Sequence, residues 1–335
     1  MTRQAPTHQS EKHEPEASNS QQKYLRTALQ TLLHYGGSAL VLYLLFRLLP
    51  GRQVWRTLGL LPARLWVMVL AGYLAAHCIG VTKWRLMVNV AGAGLNVRQA
   101  ARCYFAGLFG SLFLPSLIGG DLVRAGLALR LGRSKAGVLL GSFLDRIIDF
   151  AALTLLAGLG ALLVPGALDA RGRKIFLLLG AGALLGAIGI ASVIALLPVG
   201  RFSFRIRRRV VRVRRAGRSM VRQPRAVLRA LSLAMVTQVV FIELGVLLAK
   251  ACGLHLPFRV WLFAWPLAKL SAALPITQGG IGVREAALAA LLVPFGAPAV
   301  LTVAAGLAWE AIVVSGAVVA GVTSLLIGRV SGMER

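Results

Sequence analysis

Leu114-Pro115-Ser116-Leu117-Ile118-Gly119-Gly120-Asp121-Leu122-Val123-Arg124 reads LPSLIGGDLVR, and 160 residues later Leu274-Pro275-Ile276-Thr277-Gln278-Gly279-Gly280-Ile281-Gly282-Val283-Arg284 reads LPITQGGIGVR. Both copies fit LPxxxGGxxVR, with six identities at one fixed offset. Each interrupts an apolar stretch at its centre. A proline removes a backbone donor and ends a helix. Paired glycines permit the tight reversal that a hairpin tip requires. In a membrane protein, two Gly/Pro-broken segments in corresponding halves point to a transport site.

The rest of the chain has a membrane composition. Hydrophobic residues make up 57% and mean hydropathy is +0.73, against about 45–50% apolar in a soluble domain. A span needs roughly 20 apolar residues. Full spans are expected at 28–49, 65–86, 136–164, 175–197, 230–250 and 298–327. Two more apolar segments, 101–133 and 260–296, carry the repeated break. Residues 1–27 are polar and mixed in charge, which predicts a disordered cytoplasmic tail. The first apolar run lacks a small-residue cleavage site, so it reads as a retained span. Cys78, Cys103 and Cys252 stand at unrelated spacings and read as buried small hydrophobes, not as a disulfide framework or metal site.

Thirty-eight Lys and Arg face eleven Asp and Glu, a net charge of +27. Twelve of the arginines fall in 201–229. Such a loop fixes topology by the positive-inside rule and can also contact anionic lipid. No aromatic interleaving or known module accompanies it, so nucleic acid is not an expected partner. With 201–229 in the cytoplasm, both flanks of the first motif are basic and also face inside. Segment 101–133 then reads as a hairpin entering from the cytoplasm. Three full spans separate the motifs, an odd number, so 260–296 would enter from outside. The expected fold is an all-α polytopic membrane protein with an inverted repeat, around 94–164 and 253–327. It has six full spans and two re-entrant helical hairpins, eight apolar segments in all. Residues 328–335 form a second cytoplasmic tail, and both termini lie inside.

The repeat extends past the motif. Gly94-Leu95-Asn96-Val97-Arg98 resembles Gly253-Leu254 through Arg259 with a short insertion. Gly132 matches Gly296 at an offset of 164, which sets Arg146 opposite Glu310.

Chemistry is expected at the breaks. A helix starting after each glycine pair, Gly119–Gly120 and Gly279–Gly280, offers free N–H groups to an anion. Arg124 and Arg284 follow one turn later and can clamp a phosphate or carboxylate. Asp121 suits a helix N-cap or a substrate contact; the second copy has Ile281 there and instead carries Glu285, a further candidate for substrate binding, beside Arg284. Ionisable residues inside membrane segments are costly and mark function by default. Asp145, Arg146 and Asp149 lie within one span, where Arg146 and Asp149 are three apart and can pair. Either a structural ion cluster or a headgroup contact fits them. Glu243, with Thr237 and Gln238 as polar company, and Glu310 are candidate coupling carboxylates. Lys83 stands near a span end, where it can snorkel; Trp84 and Trp261 suit interfacial positions. There is no nucleotide-binding loop, so an ATP-driven pump in one chain is not supported, and no cofactor is expected.

LPSLIGGDLVR, the following FLDRIIDF, and ALPITQGGIGVREAAL together resemble the membrane domain of lysylphosphatidylglycerol synthases, a domain that also occurs as stand-alone flippase-like proteins. The likeness spans roughly 28–327. In the synthases this part moves an aminoacylated lipid between leaflets, and a separate C-terminal domain makes it. This chain ends at Arg335, so the resemblance implies translocation or lipid handling without synthesis. Two departures are visible: Asp145 stands where the family commonly has Glu, and Glu310 where it often has Arg. The expected activity is that of a lipid flippase or transporter in a bacterial inner membrane. Its partners are membrane lipids, anionic phospholipid or polyprenyl-phosphate lipid, and envelope-biosynthesis enzymes. A membrane-embedded envelope-lipid transferase or its accessory subunit, and a non-transporting scaffold, are the alternatives.

Overall fold

A computed structural model of the chain describes residues 59, 61–113, 119–164, 211, 222–272 and 282–330. The spans expected at 28–49 and 175–197, most of the 201–229 loop and both tails lie outside these residues. So do Leu114–Ile118 of the first motif and most of the second, including Gly279 and Gly280.

Eight α-helices are described, and their lengths repeat. Long α1 (Ala63–Val90) is followed by short α2 (Val97–Gly110) and α3 (Gly119–Leu131), then by long α4 (Lys135–Leu163). Long α5 (Pro224–Ala251) is followed by short α6 (Phe258–Ser271) and α7 (Val283–Leu292), a 3-10 turn at Val293–Phe295, and long α8 (Ala299–Val330). The four long helices have 28 to 32 residues and are apolar enough to cross a membrane; 28 residues rise about 42 Å. The chain is a multi-pass membrane protein. Four of the expected spans thus correspond to α1, α4, α5 and α8. The two interrupted segments each form a pair of short helices; 14 residues rise only about 21 Å, too little to cross.

Both first helices of the halves end alike. Gly92, at φ 93, and Gly253, at φ 87, take the left-handed conformation that glycine adopts without strain. Gly92 N–H donates to Asn89 O and Ala93 N–H to Val88 O, both at 2.9 Å; Gly253 N–H donates to Lys250 O and Leu254 N–H to Ala249 O, also at 2.9 Å. These are matched Schellman caps. They align Gly92, not Gly94, with Gly253, so Arg98 meets Arg259 at a constant offset and the insertion disappears.

The packing repeats as well. α1 lies on α5; α4 lies on α6, and α8 on α2. α2 packs on α3 as α6 does on α7, and α1 on α4 as α5 does on α8. Each extensive helix contact keeps a counterpart when every helix is exchanged for the one four places along. Early α1 meets late α5, since Gly72 faces Leu244 and Tyr73 stacks near Phe241 at 5.6 Å. Late α1 meets early α5, since Met87 clusters with Ala230 and Ala234. The two equivalent helices therefore run antiparallel. Small residues let backbones close up: Gly160 of α4 lies on the backbone of Leu262 and Phe263 in α6, and Ser324 of α8 donates to Arg102 O in α2 at 2.9 Å.

Several expectations are corrected by packing. Trp84 and Trp261 are fully buried, not interfacial, and Cys78 is exposed while Cys103 and Cys252 are buried. Gly119 and Gly120 belong to the first turn of α3 and do not make the reversal. Gly120 instead permits a close approach: a Cβ there would meet Gly107 O of α2 at 2.6 Å, and a Cβ on Gly107 would meet Gly120 O at 2.7 Å.

Candidate functional site

The start of α3 presses against the middle of α4, and charged side chains fill the contact. Arg146 of α4 grips Asp121 through both oxygens, with Nη2 to Oδ1 at 2.6 Å and Nε to Oδ2. Arg124 Nη2 reaches Asp121 Oδ1 at 2.8 Å and Asp145 Oδ2 at 3.3 Å. From α1, Lys83 Nζ completes the chain, 2.9 Å from Asp145 Oδ1 and 2.6 Å from Asp149 Oδ1. Three cations and three carboxylates thus alternate. The Arg124 guanidinium carbon sits 4.9 Å from the centroid of Trp84 and 5.2 Å from that of Tyr104. Those rings are the cation–π faces of a desolvated arginine, and Trp84 Nε1 is itself satisfied by Ser142 Oγ at 3.1 Å.

A second set occupies the corresponding place between α7 and α8. Gly282, at φ 84, turns the chain into α7, and its N–H donates to Glu285 Oε2 at 2.7 Å. Glu285 also accepts from Arg284, whose Nη2 lies 2.5 Å from Oε1. The same Nη2 reaches Glu310 Oε2 of α8 at 2.8 Å. The Arg146–Glu310 correspondence has a physical meaning here. In the first half the long helix supplies the cation and the short helix the acid. In the second half the long helix supplies the acid and the short helix the cation.

Each set has a sealed part and an open part. Asp145 is 1% and Glu285 0% exposed, and Lys83 and Arg124 are buried with them. The side chain of Arg146 is 41% exposed and that of Asp149 23%. Asp121, Arg284 and Glu310 are also partly accessible. The sealed ions hold the open ones in place, and buried ions tolerate this only when paired.

Between the sets runs an aromatic seam. His77 and Tyr73 of α1 meet edge-on at 4.4 Å, and His77 lies 5.2 Å from Phe241 of α5. Trp309 of α8 stands 5.8 Å from Tyr73 and 5.0 Å from Trp265 of α6. His77 Nδ1 pairs with the Tyr104 hydroxyl at 3.3 Å.

The structure brings Asp121, Arg124, Asp145, Arg146 and Asp149 together, and separately Arg284, Glu285 and Glu310. Gly119 and Gly120 open α3 beside the first set. Arg146 pairs with Asp121 across helices, not with Asp149 on its own helix, because Lys83 takes Asp149. Asp121 serves that ion pair in the first turn of α3. Glu243 stands apart and exposed; Gln238 bonds to Lys269, and Thr237 to the Leu233 carbonyl. Lys83 and Lys269 were missed as site residues. The available signal was a lysine within or beside an apolar segment, in a chain whose few acids stand inside other apolar segments. Among the described residues, no group of three or more His, Cys, Asp or Glu is placed to hold a metal ion.

The family model described as "Lysylphosphatidylglycerol synthase TM region" matches residues 31–321. No curated protein and no solved structure matched the chain.

Proposed function

The chain belongs to the lysylphosphatidylglycerol synthase TM-region family, and we propose that it is a flippase-like lipid transporter of a bacterial inner membrane. It would carry the headgroup of an anionic or polyprenyl-phosphate lipid along the seam between its two halves. The observation that carries this reading is the partly open ion pair at the start of each half's second short helix.

The inverted repeat is part of the proposal. Equivalent helices α1 and α5 are antiparallel, so the hairpin α2–α3, attached at the end of α1, enters from the side opposite to α6–α7. The charge distribution supplies the direction. Arg98, Arg102, Arg130, Arg133, Lys135, Arg222, Arg225, Arg229 and Arg329 gather at the end where α1 stops and α5 begins. Arg64, Lys250 and Arg259 lie toward the other end. The positive-inside rule puts the first end in the cytoplasm, and with a span at 28–49 both termini face inside. The hairpins are then re-entrant, one from each side.

In this mechanism Arg146 and Arg284 exchange partners. A headgroup phosphate competes with Asp121 for Arg146, or with Glu310 for Arg284, and thereby loosens a short helix from a long one. Lys83, Arg124, Asp145 and Glu285 stay paired and keep the geometry. Asp149 and Glu310 are positioned to receive a cationic group on the same lipid. Because the two open pairs have opposite polarity, they suit a lipid with distinct ends. Rocking of the halves would expose the seam to each leaflet in turn, as in transporters built from inverted repeats.

The test is transbilayer movement in liposomes holding the full chain and a panel of headgroup-labelled lipids. Wild-type protein should accelerate movement of at least one anionic lipid, and Arg146→Ala and Arg284→Ala should abolish the acceleration while remaining folded. Wild-type rates equal to both variants across the panel would defeat the reading. Formation of a new lipid product with an added donor would favour the transferase alternative.

A further inference from the structure

One cation in the interior is neutralised by neither ion-pair set. Lys269 of α6 donates Nζ to Gln238 Oε1 at 2.9 Å and lies 4.7 Å from the centroid of the Phe241 ring. Among the described residues, no carboxylate comes within 4 Å of it. Phe241 belongs to the aromatic seam between the two sets, against His77 and Trp309, and α6 packs on α4 and α7, the helices that carry Arg146 and Arg284. An ammonium inside an apolar membrane segment is costly, and an amide oxygen and a ring are weak compensation.

The charge count sharpens this. In the first set Lys83, Arg124 and Arg146 balance Asp121, Asp145 and Asp149. In the second, Arg284 faces both Glu285 and Glu310. Lys269 brings the sum to five cations and five carboxylates, but without touching a carboxylate. These ten described groups sum to zero formal charge, while an ammonium face stays unclaimed. The neighbouring arginines also have donors to spare. Arg146 spends Nε and Nη2 on Asp121, and Arg284 spends Nε and Nη2 on Glu285 and Glu310. The Nη1 edge of each makes no hydrogen bond among the described residues, and both side chains are partly accessible.

We propose that Lys269 and the free edges of Arg146 and Arg284 form a seat for a phosphate group, and that the contact with Gln238 and Phe241 is the resting position of the lysine. This rests on the lipid-transport reading above and names the chemistry its site selects. Three donors from three helices suit the several oxygens of a tetrahedral phosphate. A carboxylate offers two coplanar oxygens, which a single arginine fork already satisfies. Gln238 holds the ammonium without cancelling its charge, so the lysine is poised and not trapped.

The experiment uses the full chain in nanodiscs of phosphatidylcholine, with tryptophan fluorescence as the readout, since Trp265 and Trp309 border the seam. The probes are dihexanoyl phosphatidylglycerol, dihexanoylglycerol, which lacks the phosphate, and inorganic phosphate. Wild-type protein should bind the phospholipid and not the diacylglycerol. Lys269→Gln keeps a hydrogen-bonding partner for Gln238, so it should fold with an unchanged melting temperature and bind the phospholipid about tenfold or more weakly, the loss of one charge-assisted hydrogen bond. Lys269→Arg should keep most of the affinity. Inorganic phosphate that displaces the phospholipid supports the seat; if it binds as tightly as the lipid, the seat belongs to free phosphate. Equal affinity of wild type and Lys269→Gln, or equal binding of the diacylglycerol, would overturn the proposal. The two readings fail separately. Phosphate-dependent binding without transbilayer movement leaves the seat and removes transport. Movement with binding indifferent to Lys269 does the reverse.

Discussion

The two halves of the molecule share helices but not charges. Residues 63–163 and 224–330 each fold as long, short, short, long, with matched caps on the first helix and matched packing partners. Yet the first half holds an alternating chain of six charges, and the second holds one arginine between two glutamates. Apolar packing reproduces a backbone because many side chains fill the same space. Ion pairs depend on individual residues, so they can diverge while the helices stay put. The halves are alike where they support the seam and unlike where a ligand would meet it.

The largest expected effect comes from opening the sealed part of the first half. Asp145→Ala leaves Lys83 and Arg124 each short of a partner in a buried site. Thermal unfolding in detergent should show a loss of about 3–5 kcal/mol, the cost of an uncompensated buried charge. The sealed acid of the second half gives a graded contrast. Glu285→Gln keeps an acceptor for the Gly282 N–H but loses the ionic hold on Arg284, so it should cost less than Asp145→Ala in the same measurement. Next, Gly120→Ala drives a Cβ against the Gly107 carbonyl and should cost about 1–3 kcal/mol. Smaller still is the polarity exchange. Arg146→Asp alone places an acid beside Asp121, while Arg146→Asp with Asp121→Arg gives the first half the polarity of the second. The double variant should recover about 1 kcal/mol relative to the sum of the singles. The mildest change is Gly126→Ala, where nothing lies within 4 Å of the added carbon; it should stabilise α3 by about 0.5–1 kcal/mol.

Much of the scaffold was legible. Length and hydropathy locate α1, α4, α5 and α8, and proline with glycine locates the breaks inside 101–133 and 260–296, because both signals are local. The charged residues were legible as a set, since acids are scarce in this chain and stand out inside apolar segments. Their pairing was not. Asp149 is three residues from Arg146, but Lys83 reaches it from α1, 66 residues away in sequence. Lys83 read as a snorkelling end residue because nothing local shows that α4 lies across it. Trp84 looked interfacial for the same reason, although the Arg124 guanidinium and the Ser142 hydroxyl occupy its faces and its N–H. Even the glycine register needed tertiary information. Gly92 and Gly94 both take positive φ, and only the hydrogen bonds of the cap tell which one corresponds to Gly253.

The central claim is that the two hairpins enter from opposite sides. It is tested by single cysteines in a background lacking Cys78, Cys103 and Cys252. Lys135→Cys marks the turn between α3 and α4, and Val293→Cys marks the turn between α7 and α8; both positions are exposed. A membrane-impermeant thiol reagent applied to right-side-out vesicles should label Val293→Cys at once and Lys135→Cys only after the vesicles are opened. Labelling of both from the same side would contradict the account.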